Sequence, residues 1–411
     1  MNSIEQQLLY CLAAYRLGKD TAELVPGLTA EQWTELQKLA SLHKMGPMVF
    51  ETLWRCPEFC GGDAQMIRSW KRDTLLKAAA QAMQSRRITE VSAGFSEHGI
   101  PHALLKGIIC RDLYTRPDLR PSGDEDLLIF PEDQPRSRAL LEQMGLRFMQ
   151  GDDTVTHWQD PASGLHIELH TRLFSTGQKA EEKLNRILMD QLHHTVTASV
   201  TDGQVQTFSP TWHFIFLICH ALKHFLTGGV GVRTLCDVVS YAEHYQKEID
   251  FPAAECALES IRGRVFLDQI FAIGQRWLGF DPAGAGWTYA RPPEPEEMLL
   301  DCLEAGIYGQ SSMSRKHSAG LVLQAAEENA PRPSLRASLF PRREAMLRRY
   351  PELEQHPALL PICWVRRLGT YAKEIRHGGR ENSPLESVSL GKKRTEMMVK
   401  YGILPKSKKK N

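Results

Sequence analysis

Between Leu104 and His170 the chain gathers the residue types that could hold a divalent cation beside a phosphate. Asp124 and Asp126 stand one residue apart in the run Asp124-Glu125-Asp126-Leu127-Leu128-Ile129. On a strand, both carboxylates point to one face while Leu127 and Ile129 point to the core. Two like charges that close are unfavourable unless a cation sits between them. Downstream, Leu165, Ile167 and Leu169 alternate with His166, Glu168 and His170, so a second half-polar strand offers Glu168 as a third carboxylate. Asp124, Asp126 and Glu168 are therefore the candidate ligands for Mg2+ (or Mn2+). The chemistry such a set performs is two-metal phosphoryl transfer, in which the ions activate the attacking oxygen and neutralise the leaving group. Upstream, an apolar run ends at Lys106-Gly107. It reads as a buried strand stopping at a glycine turn whose free amides open a helix and face an anion.

Around this centre lie further candidates. Lys106 holds a phosphate as a point charge beside the amides of Gly107 and Ile108, or else is a strand-end lysine in solvent. Arg120, Ser122 and Gly123 form the loop leading into the metal strand. There a guanidinium could grip phosphate with two hydrogen bonds; alternatively Arg120 pairs with Asp124 or Asp126 and holds the loop. His170 either positions Glu168, assists proton transfer or is structural. His220 and His224 are four apart on a predicted helix and share a face. With Arg233 and Asp237 they make a polar seam for acceptor or nucleotide contacts; the alternative is an Arg233–Asp237 helix salt bridge with satisfied histidines. No His-Glu-x-x-His pattern accompanies them, so zinc hydrolysis is unsupported.

These residues resemble the nucleotidyltransferase superfamily built on the polymerase-beta palm, with a glycine turn, Asp-x-Asp on one strand and a third acid on a neighbouring strand. The likeness is to its largely uncharacterised bacterial family marked by Leu-Lys-Gly and Arg-Pro-x-Gly-Asp-x-Asp-Leu-Leu, here Leu105-Lys106-Gly107 and Arg120-Pro121-Ser122-Gly123-Asp124-Glu125-Asp126-Leu127-Leu128. It covers about a third of the chain, with weaker likeness out to Arg233 and Asp237. The chain departs from the wider pattern in having Lys106-Gly107-Ile108 where Gly-Ser is usual and Glu168 where Asp is commoner. The resemblance implies an α+β fold and a Mg2+-dependent enzyme. Such an enzyme moves a nucleoside monophosphate from a nucleoside triphosphate, such as ATP, to an unidentified small-molecule, protein or RNA acceptor, releasing pyrophosphate. Asp124, Asp126 and Glu168 would be catalytic, and Lys106, Gly107, Arg120, Ser122 and Gly123 nucleotide-binding. The alternatives are an inactive nucleotide-binding or protein-interaction module of the same fold, and a toxin-like enzyme that modifies RNA or protein.

The elements that must position these residues follow from periodicity. Helices are predicted over Ile4–Tyr15, from Thr29 to Leu42, and from an Asp63 cap through Phe95. Strands are predicted at His102–Leu105, up to Phe130, at Arg147–Met149, Val155–Trp158 and Leu165–Thr171, with a hairpin around Asp202-Gly203. Helices return at Pro210–Leu226, Val232–Tyr245, Pro252–Leu278 and Glu294–Glu304. This is a mixed sheet with flanking helices in a mostly helical chain, divided as 1–98 (helical), 99–208 (catalytic core), 209–310 (helical) and 311–411 (basic, partly flexible). At 411 residues, two or three packed units are expected. Fifty basic against 49 acidic side chains give a net charge of +1, with no global pull toward nucleic acid or membrane. The basic C-terminal third reads as solvated charge. Nine scattered cysteines and the lack of a signal-peptide pattern or long apolar run predict a cytoplasmic protein with reduced thiols and no membrane span.

Overall fold

A computed structural model describes residues 1–174, 179–306, 343–347, 350–367, 369 and 384–404. Much of the segment 311–411, expected to be basic and partly flexible, lies outside them. The chain forms two compact units, one of residues 1–220 and 233–293, the other of 221–232 and 294–411. Each unit is discontinuous in sequence.

The first unit begins with helices whose starts are written in their caps. α1 (Ser3–Arg16) is capped by Asn2 with Glu5 reaching back, and α2 (Ala30–Leu42) by Thr29 with Gln32. α3 (Gly46–Leu53) and α4 (Pro57–Cys60) follow. Both have proline in the first helical positions, where its missing N–H costs nothing, so Gly-Pro here starts a helix instead of breaking one. The long α5 (Ala64–Glu97) is capped by Asp63. Trp33, Phe50, Phe59 and Trp70 pack edge to face or tilted at 5.4–6.1 Å between neighbouring ring centroids, which locks α2 to α5 together.

The sheet that carries the acidic residues follows. Its strands are β1 (His102–Leu105), β2 (Glu125–Ile129), β3 (Arg147–Gly151), β4 (Val155–Gln159) and β5 (His166–His170), in the order β1-β2-β5-β4-β3. Only the β2–β5 pair is parallel. The fold is thus α+β with a mixed sheet, as the resemblance implies. Two short helices, α6 (Gly107–Arg111) and α7 (Gln134–Gln143), lie in the connections. The hairpin β6 (Val196–Val200) and β7 (Gly203–Thr207) forms a separate two-stranded sheet.

All five residues of β2 are buried, so both of its faces are covered. This corrects the half-exposed strand expected from alternation: the residue between the two aspartates, Glu125, is buried at 2 % exposure. Its carboxylate bonds Arg111 Nη1 at 2.5 Å and accepts the Ile108 amide at 2.9 Å. That amide, expected to face an external anion, already has an internal one. Gly107 is required by the same contact, because a Cβ there would stand 1.8 Å from Glu125 Oε2.

The remaining helices of the first unit are α8 (Lys179–Asp190), the first half of α9 (Pro210–Thr227), α10 (Val232–His244), α11 (Phe251–Glu259) and α12 (Gly263–Trp277). The single helix predicted over Pro252–Leu278 is broken at Arg262, which takes a left-handed conformation with φ +58°. The second unit contains α13 (Glu296–Ala305), α14 (Arg343–Leu347) and α15 (Pro384–Tyr401). Met346, Leu353 and Cys363 form an apolar cluster within it. Arg394, within the basic run Lys392-Lys393-Arg394, is buried, bonding Asp301 at 3.2 Å and the Phe225 carbonyl. Arg394 is thus internal structure, while Lys392 and Lys393 are exposed as solvated charge. No helix among the described residues is long and apolar enough to cross a membrane.

The Glu125 contact predicts the response to Gly107→Ala. The new methyl must expel the Glu125 carboxylate and leave Arg111 buried without its partner, a loss of roughly 3–5 kcal/mol. Urea unfolding should show that loss or an unfolded protein, and a wild-type midpoint would contradict it.

Candidate metal and phosphate site

Parallel pairing of β2 with β5 sets Asp126 directly beside Glu168. His170, two residues on, projects from the same face as Glu168. Asp126 Oδ1 lies 3.1 Å from His170 Nε2, which is 3.4 Å from Glu168 Oε2. One potential ligand atom from each of Asp126, Glu168 and His170 lies within 4.8 Å of the others. On β4, paired with β5 on its other side, His157 Nδ1 stands 3.6 Å from Glu168 Oε1. On β1, Leu105 pairs with Asp126, so the next residue, Lys106, reaches across and puts Nζ 2.9 Å from Asp126 Oδ2. Asp124 precedes β2 and is not among the three residues of the 4.8 Å group. The donor set the structure assembles is therefore Asp126, Glu168 and His170, with Asp124 beside it.

Electrostatics distinguish the acids. Burial would raise Asp126, but Lys106 and His170 outweigh it and hold the carboxyl well below the usual range. His220 acts in the same direction, which places that histidine's charge within reach of the centre. Glu168 is lowered chiefly by its hydrogen bond to His170, against burial and the charge of Asp126. Asp124 is raised, first by burial and then by Asp126 and Glu168, with Lys106 and Arg233 opposing. Burial would lower His170, yet its bonds to Asp126 and Glu168 lift it to about 9.

The turn that presents Lys106 is strained. Its φ of +62° and ψ of −108° are sparsely populated for a residue with a side chain, at a cost of roughly 1–3 kcal/mol. Burial of both ends helps to hold it: the Lys106 amide donates to His213 Nε2 at 3.1 Å while the ammonium sits on Asp126.

Other sequence candidates go elsewhere. Arg120 is buried at 0 % exposure and grips Asp237 through Nε at 2.8 Å and Nη2 at 2.5 Å; Tyr114 Oη also donates to Asp237, at 2.9 Å. The pairing of Arg120 with Asp124 or Asp126 is not formed, because Asp237 on α10 takes Nε and Nη2. The alternative Arg233–Asp237 salt bridge is likewise replaced: Arg233 Nη1 donates to the Pro121 carbonyl at 2.5 Å. Both arginines thus brace the loop that leads into β2. Ser122 donates its amide to Gln81 at 2.6 Å, and Gly123 is exposed, its α-carbon face near the Lys44 ammonium. His224 belongs to the second unit.

Sequence reasoning missed Glu125, Arg111, His157 and His213. Glu125 was detectable: an acid sharing a strand face with Leu127 and Ile129 must find a buried partner. Nothing local announces His213, on a helix more than a hundred residues from Lys106.

The mixed sheet and its paired acids define the chain as nucleotidyltransferase-like. The family described as uncharacterised nucleotidyltransferase matches residues 29–279, and the chain belongs to that family. A solved structure, described as an antigenic nucleotidyltransferase-like protein from Paracoccidioides brasiliensis, is similar at 16 % identity and a TM-score of 0.30, covering 47 % of this chain and 91 % of its own. That likeness is too slight to bear on the site. No curated protein matches the chain.

The shifted pKa of His170 gives a signed prediction. Its folded value of about 9 lies above the ordinary 6.5, so the stability from its ion pairs is complete below about pH 6.5 and is lost as pH rises through about 9. Asp126 and Glu168 are lowered, so their contribution is present above the ordinary carboxylate range and is lost in acid. A metal-free NMR titration should find the His170 imidazole changing near pH 9. A midpoint near 6.5 would contradict the geometry.

Proposed function

We propose that the protein is a divalent-metal-dependent nucleotidyltransferase that binds a nucleoside triphosphate, transfers the nucleoside monophosphate to an acceptor and releases pyrophosphate. The observation that carries this reading is the convergence of Asp126, Glu168 and His170 on adjacent strands, with Lys106 on a strained turn at their side. The donor set fits a divalent ion: two carboxylates suit Mg2+ or Mn2+, and the His170 imidazole, which must give up its Nε2 proton to bind a metal, suits Mn2+ better than Mg2+, which favours oxygen. When bound, the ion would polarise the phosphoryl oxygens and neutralise developing charge.

The chain's own residues supply the rest. Asp126 stays ionised even when buried, so it can hold a cation without first losing a proton. Lys106 would supply a positive charge for the triphosphate beside the donor set. Asp124 or Glu168 takes the proton that leaves the acceptor hydroxyl, as a new P–O bond forms and the bond to pyrophosphate breaks. Arg120, Asp237 and Arg233 fix the loop that presents Asp124.

A second reading, an inactive nucleotide-binding module, is favoured by one observation: Lys106 and His170 already neutralise Asp126 from both of its oxygens. Pyrophosphate release separates the two. With α-labelled triphosphates and Mn2+ or Mg2+, wild type should transfer label and release pyrophosphate, and Asp126→Asn should lose roughly a thousandfold in rate or more. Thermal unfolding of the variant controls for folding. Undiminished turnover in the variant would overturn the mechanism, and binding without pyrophosphate from wild type would favour the inactive module.

A further inference from the structure

We infer that His213 and Thr207 are positioning residues that clamp the Lys106 turn, so that the Lys106 ammonium is aimed into the acidic centre and at the phosphates of a bound triphosphate. This rests on the nucleotide reading above and adds residues outside the motif region to it.

Two hydrogen bonds to the main chain bracket the turn. Thr207 Oγ1, on β7, donates to the Leu104 carbonyl at 2.7 Å, and His213 Nε2, on α9, accepts the Lys106 amide at 3.1 Å. The two side chains are joined at 2.9 Å between Thr207 Oγ1 and His213 Nδ1. The Thr207 hydroxyl has one proton and gives it to Leu104, so His213 Nδ1 must carry the proton it donates to Thr207, and Nε2 is left as an acceptor. The proton pattern is therefore closed: Nδ1–H to Thr207, Thr207 O–H to Leu104, Lys106 N–H to Nε2. An imidazolium would have no lone pair for the Lys106 amide. Burial keeps the ring neutral, with its pKa pushed down to about 3. Stacking on Tyr241 at 5.1 Å between ring centroids fixes the ring plane.

The clamp acts at the point where the backbone is least able to hold itself. Lys106 has a positive φ that glycine would adopt freely, and the chain keeps a lysine there. A lysine one position earlier or later would project from the strand or the helix instead of from the corner between them. The corner puts Nζ on Asp126 while Gly107 gives way to Glu125. Strain at the corner is thus balanced by contacts from β7, α9 and β2, none of which belongs to the Leu-Lys-Gly motif.

The test uses the full chain with Mn2+ and each of the four common ribonucleoside triphosphates, measured by calorimetry. His213→Leu removes the acceptor, His213→Gln offers a carbonyl oxygen near the place of Nε2, and Thr207→Val removes the hydroxyl with little change of shape. Affinity for the triphosphate should fall about tenfold in His213→Leu and severalfold in Thr207→Val, with most of it restored in His213→Gln. Unchanged triphosphate affinity in folded His213→Leu or Thr207→Val would overturn the proposal, even if stability fell. Should His213→Leu not fold, the milder Thr207→Val decides. The 15N–1H signal of Lys106 reports the clamp without ligand and should shift in Thr207→Val. A stationary signal would overturn the clamp and leave the nucleotide reading intact. No triphosphate binding by wild type would instead remove that reading, and the role of Lys106 with it.

Discussion

The buried carboxylate of Asp126 is the constraint on which the rest of the site depends. At 4 % exposure it could not remain ionised alone, because removing a carboxylate from water favours its protonated form. It is ionised because Lys106 and His170 each take one of its oxygens. Those two cations come from opposite sides of β2, one from the turn after β1 and one from β5. The five-stranded order, with β2 between an antiparallel and a parallel neighbour, is what makes that two-sided approach possible. His170 ties Glu168 into the same group, so one imidazole couples the two carboxylates.

A second buried acid holds the frame in which the first one works. Glu125 points away from Asp126 on the same strand and accepts from Arg111 and the Ile108 amide, which pins α6 against β2. Consecutive residues of β2 thus have opposite assignments, one to hold the turn and one to face the site. The loop before them is fixed separately, by Arg120 on Asp237 and by Arg233 on the Pro121 carbonyl. Each buried arginine removes freedom from the segment that carries Asp124, whose carboxyl is the least constrained of the three acids.

Much of this was legible in the sequence where the signal is local. The caps Thr29 and Asp63 lie at the starts of helices, His102–Leu105 is a strand with the bounds its pattern predicts, and β5 alternates as its residues do. The fold class followed from those elements together with the resemblance carried by Lys106-Gly107 and Asp124-Glu125-Asp126. What the sequence did not disclose depends on distant partners. Arg120 reads as a partner for phosphate or for the paired aspartates, and only the fold brings Asp237, 117 residues away, to its Nε and Nη2. Glu125 looks like the idle residue of Asp-x-Asp until Arg111 covers it. His170 enters the donor set only through the β2–β5 register, which no single strand encodes. The break at Arg262 is another such case, since its left-handed backbone has no local residue signature.

Asp126, Glu168 and His170 are the proposed ligands of one metal site. Pulsed electron paramagnetic resonance of the wild-type protein with a single equivalent of Mn2+ tests that assignment most directly, because a coordinating imidazole imprints nitrogen coupling on the ion. The account predicts nitrogen coupling in wild type that disappears in His170→Asp while Mn2+ remains bound through the carboxylates. Mn2+ bound without nitrogen coupling, or coupling that survives in His170→Asp, would contradict it.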